Sequence, residues 1–470
     1  MTSDTTYDVA IIGGGFAGLT AANRIAEDGL RPLVLEAGAD ELYVCNSRVA
    51  TGALHVAYLS PEEPADTLFD AAVKASDGDV REDLMRAIAD RAAATMDWMR
   101  ARGAEFEEHP RRVSDVPMLA PLREMRAGLD WEDSGPNQFL QLLGARLAQK
   151  GGELRRGARA MRILTEAGRV AGIEFETADG RKTVAARAVV VADGGFQANT
   201  DLVARHIQPA ADRIRQRNTQ TGRGDGIRMA TAIGAATVGM DKFYGHVLSR
   251  DAMTDERLWP YPQLDVLCAK SIVVAPDGRR FADEGNGGVF FANAIVGLDD
   301  PLSATAVFDA AGWEDAKTAD IVPPNPSMTD NGGTLITADT LDGLAAAAKI
   351  DPAGLADTVA AYNAAIAAGD MSGLAPKRNT AVYEALPIAE PPFHAVPLCA
   401  GITVTSGGLS VDGMGRVLDR AGRPVPGLYA AGSAVGGIEG GPRVGYVGGL
   451  IKAFAIGLIA GDSIVEAACG

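Results

Sequence analysis

The sequence predicts an α/β fold, on three observations at its start. An apolar, β-branched run at residues 7–12 leads straight into Gly13-Gly14-Gly15-Phe16-Ala17-Gly18. A stretch free of internal glycine and proline follows at residues 19–28, and Gly29 stops it. A second apolar run, PLVLE, ends in Glu36, 18 positions beyond Gly18. Buried parallel strands read as continuous apolar runs, and this strand–loop–helix–strand–acid order is the Rossmann-like dinucleotide-binding unit.

Each part has a physical task. Gly13 permits the tight turn, Gly15 lets backbone approach a pyrophosphate, and Gly18 lets the helix pack closely on the strand. The helix start, with Ala17 in the loop before it, offers N–H donors and a positive dipole to phosphate. Glu36, followed by Ala37, accepts hydroxyls of an adenosine ribose. Only one such unit occurs in the chain, whereas an enzyme using both FAD and NAD(P)H through two Rossmann units needs another. Near the C-terminus, residues 423–433 (RPVPGLYAAGS) read as a turn, a short strand and a glycine. This run is similar to the second flavin-contacting segment of two-dinucleotide-binding flavoproteins, which brings in Gly432 and Ser433. Two distant segments of this kind favour FAD.

Composition narrows the rest. The chain has 470 residues, 47 % hydrophobic and 22 % charged, which is ordinary globular composition for two or three domains or one interrupted domain. Its 44 basic and 61 acidic residues give a net charge of −17. No positive field is available for nucleic acid or for an anionic membrane surface, so neither partner is expected. Cys45, Cys268, Cys399 and Cys469 have no metal-ligand spacing; they read as reduced thiols of a cytoplasmic protein, with no metal. The start, MTSDTTYDV, lacks the basic and apolar regions of a signal peptide. The longest apolar stretch, residues 448–460, is interrupted by Lys452, is too short to span a bilayer, and reads as a buried helix.

The chain resembles the FAD-dependent fumarate reductase, succinate dehydrogenase and 3-ketosteroid dehydrogenase flavoproteins over nearly its whole length. The resemblance rests on GGGFAG with Glu36, CNSRVATG at residues 45–52, VVVADGG at 189–195 and GDGIRMA at 224–230. It continues through DGRRFADE at 277–284, Gly407-Gly408-Leu409, PGLYAAG, and Gly436-Gly437 through Arg443 to Gly449. It implies a Rossmann-like FAD-binding domain, residues 1–238 and 395–470, interrupted by an α+β capping domain, residues 239–394. In that cap, residues 338–371 are alanine-rich with apolar residues at helical spacing, and Asp351-Pro352 restarts a second helix; PPNP at 323–326 is a loop.

The resemblance also implies site residues. Asn46 stands where succinate dehydrogenases attach FAD through histidine, so FAD is expected to be non-covalent. Ser47, Thr51 and Gly52 would bind the pyrophosphate and ring edge. Asp193 stands where threonine or serine is usual, beside Gly194; Asp225, Gly448, Gly449 and Leu450 complete the expected cofactor set. On the substrate side, Glu284 is followed by GNGGVFF, without the arginine acid of fumarate reductases, and Thr403-Val404 stand where their carboxylate-binding histidine would be. His246 and Arg443 match the family's substrate-binding histidine and arginine, although Arg443 alternatively forms a salt bridge with Glu439. Tyr244 and Tyr446 suit the proton abstraction that ketosteroid dehydrogenases perform, although Tyr446 alternatively packs under the flavin. Phe290 and Phe291 read as an apolar wall or as core, and Arg111, Arg112, Arg123 and Arg126 as a solvated loop or as an anion clamp.

The expectation is therefore an oxidoreductase that desaturates a cyclic ketone or keto acid, with hydride passing to flavin N5 and an unidentified electron acceptor. An ene-reductase of an unsaturated carboxylate and a non-catalytic flavin electron carrier are the alternatives.

Overall fold

A computed structural model describes residues 7–108, 116–318 and 327–469. The expected strands form as Val9–Ile12 and Pro32–Leu35, parallel, with Val9 opposite Pro32. The helix between them, Phe16–Glu27, begins earlier than the sequence pattern suggests. Gly18 allows this: a Cβ there would lie 2.0 Å from the Gly13 carbonyl oxygen.

Ala188–Val191 pairs with the other side of Val9–Ile12, and Pro424–Ala430 pairs beyond it, both parallel. Glu153–Arg155 and an antiparallel Arg416–Leu418 form the edges of this six-stranded sheet. Every residue of the three central strands is buried, as expected for a parallel sheet covered on both faces. A C-terminal strand thus completes the sheet that the N-terminal motif starts. The last helix, Gly449–Cys469, packs on Phe16–Glu27, with the Phe16 and Phe454 ring centroids 4.6 Å apart. Glycine makes this close crossing possible, because a Cβ on Gly457 would lie 2.8 Å from the Ala17 carbonyl oxygen.

A second sheet is organised around the long strand Phe393–Thr405. Phe243–Ser249, Thr305–Phe308 and Ile336–Ala338 pair with it antiparallel, and Arg215–Gln216 pairs parallel near its end. The expected domain boundary at 394/395 falls inside this strand. The alanine-rich segment forms the helix pair Leu341–Ala348 and Pro352–Ala368, and the Asp351 carboxylate caps the second by accepting the Gly354 N–H at 2.7 Å. Residues 323–326, Arg111 and Arg112 lie outside the described residues. Among the described residues, no helix is long and apolar enough to cross a membrane.

Candidate active site

A cavity of about 1600 Å³ lies against both sheets, lined at one end by Gly13, Gly15 and Glu36 and at the other by Tyr244, His246 and Tyr446. Small-molecule pockets commonly hold about 300–1,000 Å³, so this one has room for a dinucleotide and a substrate together.

At the nucleotide end, Glu36 is buried, and its oxygens accept the Gly14 N–H at 2.9 Å and the Gly38 N–H at 2.7 Å. A carboxylate offers about four acceptor positions, so capacity for ribose hydroxyls is left. Ser47 Oγ accepts the Phe16 N–H at 2.9 Å, at the helix start. A Cβ built on Gly15 would meet only the Ser47 side chain, its hydroxyl at 3.0 Å, so the space over Gly15 suits a phosphate. Ala17, Ala37, Asn46, Thr51, Gly194, Ser433, Gly449 and Leu450 also line the cavity, and Thr219 Oγ1 donates to Asn46 Oδ1. Gly432 lines it in a left-handed turn, φ +67°. Gly18, Gly52 and Gly448 stand behind the wall instead, as points of close backbone approach; a Cβ on Gly448 would lie 2.2 Å from the His55 carbonyl oxygen.

Two carboxylates at this end are already engaged. Asp225 accepts from Arg159 Nε at 3.0 Å and Nη2 at 2.6 Å. Asp193 Oδ2 accepts the Gly226 N–H at 2.7 Å, whereas its Oδ1 is buried without a partner. Burial foremost, with Asp225 and Glu36 adding to it, pushes the Asp193 carboxyl up to about 7.

At the other end, strand alternation places Tyr244 and His246 on one face of Phe243–Ser249. His246 Nδ1 lies 2.6 Å from Asp265 Oδ2, and Asp265 Oδ1 accepts the Val247 N–H at 2.8 Å. A carboxylate only accepts, so Nδ1 carries the proton and Nε2 is left to accept from the Tyr244 hydroxyl at 3.0 Å. Burial holds His246 below its ordinary value, with the Arg217 charge acting the same way and Asp265 opposing both. Gly288, the first residue of the helix Gly288–Val296, makes room for Asp265: a Cβ there would lie 1.9 Å from the Asp265 carboxyl carbon.

The Tyr446 ring stacks on Tyr244, with centroids 3.7 Å apart and planes 16° from parallel. Its oxygen accepts the Gly449 N–H at 2.7 Å, at the start of the last helix, which leaves its own proton free to donate. Burial raises both phenols above their ordinary value. His55 packs edge-on against Tyr446 and stacks on Tyr58. Burial pushes His55 down to about 4, so it is neutral near pH 7.

The structure brings Tyr244, His246 and Tyr446 together, and Arg443 also lines the cavity, at its rim. Its side chain is 43 % exposed and pairs with Asp77 at 3.6 Å. The Glu439 alternative for Arg443 is not formed: Glu439 bonds Lys452 Nζ at 2.5 Å, both side chains fully buried, and accepts the Val447 and Gly448 N–H groups. Breaking such a buried pair costs about 3–5 kcal/mol, so it holds the loop that presents Tyr446. Glu284 turns away from the cavity into a buried pair with Arg280. The segment after it lines the cavity with glycine backbone and Phe290, while Phe291 is core. Arg123 is no solvated loop residue: it is buried, lines the cavity, and donates to the carbonyls of Asp130, Gly128 and Val49. Arg126 is exposed and pairs with Asp130. Sequence reasoning missed Asp265, His55, Tyr58 and Arg217, which sit in no local motif.

The FAD binding domain family matches residues 8–445. The chain is 30 % identical over 398 residues to the NADH:acrylate oxidoreductase of Vibrio harveyi, covering 81 % of this chain and 36 % of that protein. It therefore spans little more than a third of that relative's length. It is 25 % identical to a probable fumarate reductase of Shewanella frigidimarina, covering 99 % of this chain and 75 % of the relative. It is 26 % identical to the 4-oxocyclohexanecarboxylate 2-dehydrogenase of Sinomonas cyclohexanicum, covering 100 % of this chain and 94 % of that one. Among solved structures, the 3-ketosteroid Δ1-dehydrogenase of Sterolibacterium denitrificans shares the fold, with a TM-score of 0.76 at 21 % identity over 98 % of this chain and 100 % of that one. With nucleotide-binding geometry at one end of the cavity and the family matched over residues 8–445, this chain belongs to the FAD-binding flavoprotein family, and FAD is its cofactor.

Proposed function

We propose that the chain is an FAD-dependent oxidoreductase acting on a CH–CH bond beside a carbonyl, and that it desaturates a cyclic ketone or keto acid. The observation that carries this reading is the Asp265–His246–Tyr244 chain of hydrogen bonds facing Tyr446 in the cavity. FAD, which Glu36, Ser47 and the backbone around Gly15 would hold without a covalent bond, would supply the hydride acceptor for the β-carbon. Tyr244 takes the α-proton while passing its own to His246 Nε2, and Asp265 steadies the imidazolium. Tyr446, its oxygen held by the Gly449 N–H, donates to the carbonyl oxygen as enolate charge develops there. The α-carbon thus loses a proton, the β-carbon loses a hydride, and a C=C bond forms between them. Phe290 supplies an apolar surface for the ring.

Support comes from the 4-oxocyclohexanecarboxylate 2-dehydrogenase relative, whose name describes this reaction on a cyclic keto acid. The reverse reaction, reduction of an unsaturated carboxylate, is the second reading and is favoured by the relatives named for acrylate and fumarate. On this proposal the unit containing Tyr244 and Asp265 caps an FAD-binding unit made from both ends of the chain, and electrons leave to an acceptor outside it. Anaerobic stopped-flow absorbance of the FAD-loaded protein tests the direction. Bleaching of the flavin band by saturated cyclic ketones or keto acids is expected. Absence of bleaching, with reoxidation of the reduced protein by enones or fumarate, replaces desaturation by reduction.

A further inference from the structure

Arg217 is 7 % exposed and lines the cavity, yet no ion pair satisfies it. Its Nε donates to the Pro260 carbonyl at 3.0 Å and its Nη1 to Thr403 Oγ1 at 3.1 Å, and its guanidinium lies over the Tyr261 ring. Among the described residues no carboxylate stands within ion-pair distance of it, and Nη2 has no protein partner. The cost of a buried charge is several kcal/mol when nothing opposes it. Arg123, also buried in the cavity wall and bonded only to carbonyls, feels the Arg217 charge, with Tyr261, Asp130 and Glu132 opposing it.

The place of this charge is set by one strand. The Arg217 N–H donates to the Ile402 carbonyl on one side of Phe393–Thr405, while Tyr244 pairs with Val404 on its other side. Thr403 and Val404, between them, line the cavity. Gly401 lets the Arg217 stem cross the strand, because a Cβ there would lie 3.1 Å from Arg217 Cδ. The guanidinium is close enough to Tyr244 and His246 for its charge to act on both.

We propose that Arg217 is the carboxylate-recognition residue of the substrate site, so that the substrate is a keto acid rather than a neutral ketone. The proposal rests on the desaturase reading for its substrate class, and its anion specificity is separable from that reading. A guanidinium with a free Nη2 offers a charge-assisted hydrogen bond that a neutral ketone leaves unused. Tyr244 and Tyr446 then work on the ketone while the carboxylate is held at the strand end.

The test compares flavin reduction by 4-oxocyclohexanecarboxylate and by its methyl ester in FAD-loaded wild type and Arg217→Gln. The expected result is a loss of about 100-fold in reduction efficiency for the acid and less than about threefold for the ester. Equal losses on both substrates, or no loss on the acid, overturn the proposal. If wild type reacts with neither compound, the desaturase reading fails, and binding of cyclohexanecarboxylate to oxidised protein, read from the flavin spectrum, decides the Arg217 role. A spectral shift in wild type that Arg217→Gln loses supports it; equal affinity, or no shift in wild type, overturns it. Should Arg217→Gln not fold, Arg217→Lys keeps the charge without the fork, and an acid-selective loss of about tenfold is expected, equal losses again overturning the assignment.

Discussion

At the nucleotide end of the cavity much of the wall is backbone that glycine permits, beside the side chains of Glu36 and Ser47. At the substrate end the contacts come from side chains delivered by elements far apart in sequence. Gly13, with φ +101° and a would-be Cβ 2.6 Å from the Ala192 carbonyl oxygen, belongs to the first kind. Tyr244 and Tyr446 belong to the second, one on a strand of the second sheet and the other on a loop pinned by Glu439 and Lys452. A backbone site is written in a short contiguous motif, because the glycines that open it are neighbours in one loop. A side-chain site exists only after both sheets have assembled.

The largest effect should come from the side-chain end. Tyr244→Phe removes the hydroxyl that bonds His246 while leaving the stacked rings, and flavin reduction by substrate should fall about 1,000-fold with flavin content unchanged. A stopped-flow rate within about threefold of wild type would place the base elsewhere. The matching change at the backbone end is Gly13→Ala. Strain at a positive φ and the contact with the Ala192 carbonyl should weaken FAD binding about 100-fold, read from the flavin absorbance remaining after dialysis. Retention of full flavin would show that the loop shifts at little cost and would blur the distinction between the two ends.

The same contrast explains what the sequence makes legible. The first strand, helix and second strand, Glu36, and a short strand near residues 424–430 all follow from local pattern or from resemblance, and the structure has them, adding that the last strand pairs into the first sheet. Asp265 escapes that reading because its partner, His246, lies on a separate strand and no motif joins them. Arg123 escapes it because an arginine in a polar stretch is ordinarily solvated, and only the folded loop buries it against carbonyls. Arg443 does not pair with Glu439, because Glu439 is held by Lys452, the lysine that interrupts the apolar C-terminal stretch.

A smaller, sharper effect should come from a glycine that serves the side-chain end. Gly288→Ala places a methyl group against the Asp265 carboxyl and should displace it from His246. Loss of this orienting contact should lower the reduction rate about tenfold, as should Asp265→Asn. Their pH profiles test the cause. His246 must be neutral to accept the Tyr244 proton, so the rate falls as pH drops through its value, which burial holds below the ordinary one. Asp265 raises that value, so losing its charge should move the acid limb of the profile to still lower pH. Arg217→Gln removes a charge that lowers it, and should move the limb the opposite way. An acid limb that does not move in any of these variants would assign it to a group other than His246.

The smallest effect concerns Asp193, the member of the nucleotide end that breaks its rule. There a buried carboxyl, with Oδ1 unpartnered, stands among backbone donors at a position where the family resemblance calls for a hydroxyl. Its folded value is raised to about 7 from an ordinary 3.8, so the native chain binds more protons than the unfolded chain between those values. Stability contributed by the protonated carboxyl is therefore greatest below the ordinary value and is lost as pH rises towards the folded one. Asp193→Asn keeps the acceptor for the Gly226 N–H and abolishes the charge. After allowance for solvent reaching the cavity, it should stabilise the protein by about 1 kcal/mol near pH 8, a gain that shrinks as pH falls towards about 4. Thermal melts of variant and wild type across that range check it. A gain that is the same at both ends of the range would mean that side-chain packing, rather than charge, sets the stability here, and a loss of FAD affinity in the variant would give the Asp193 carboxylate a part in holding the nucleotide.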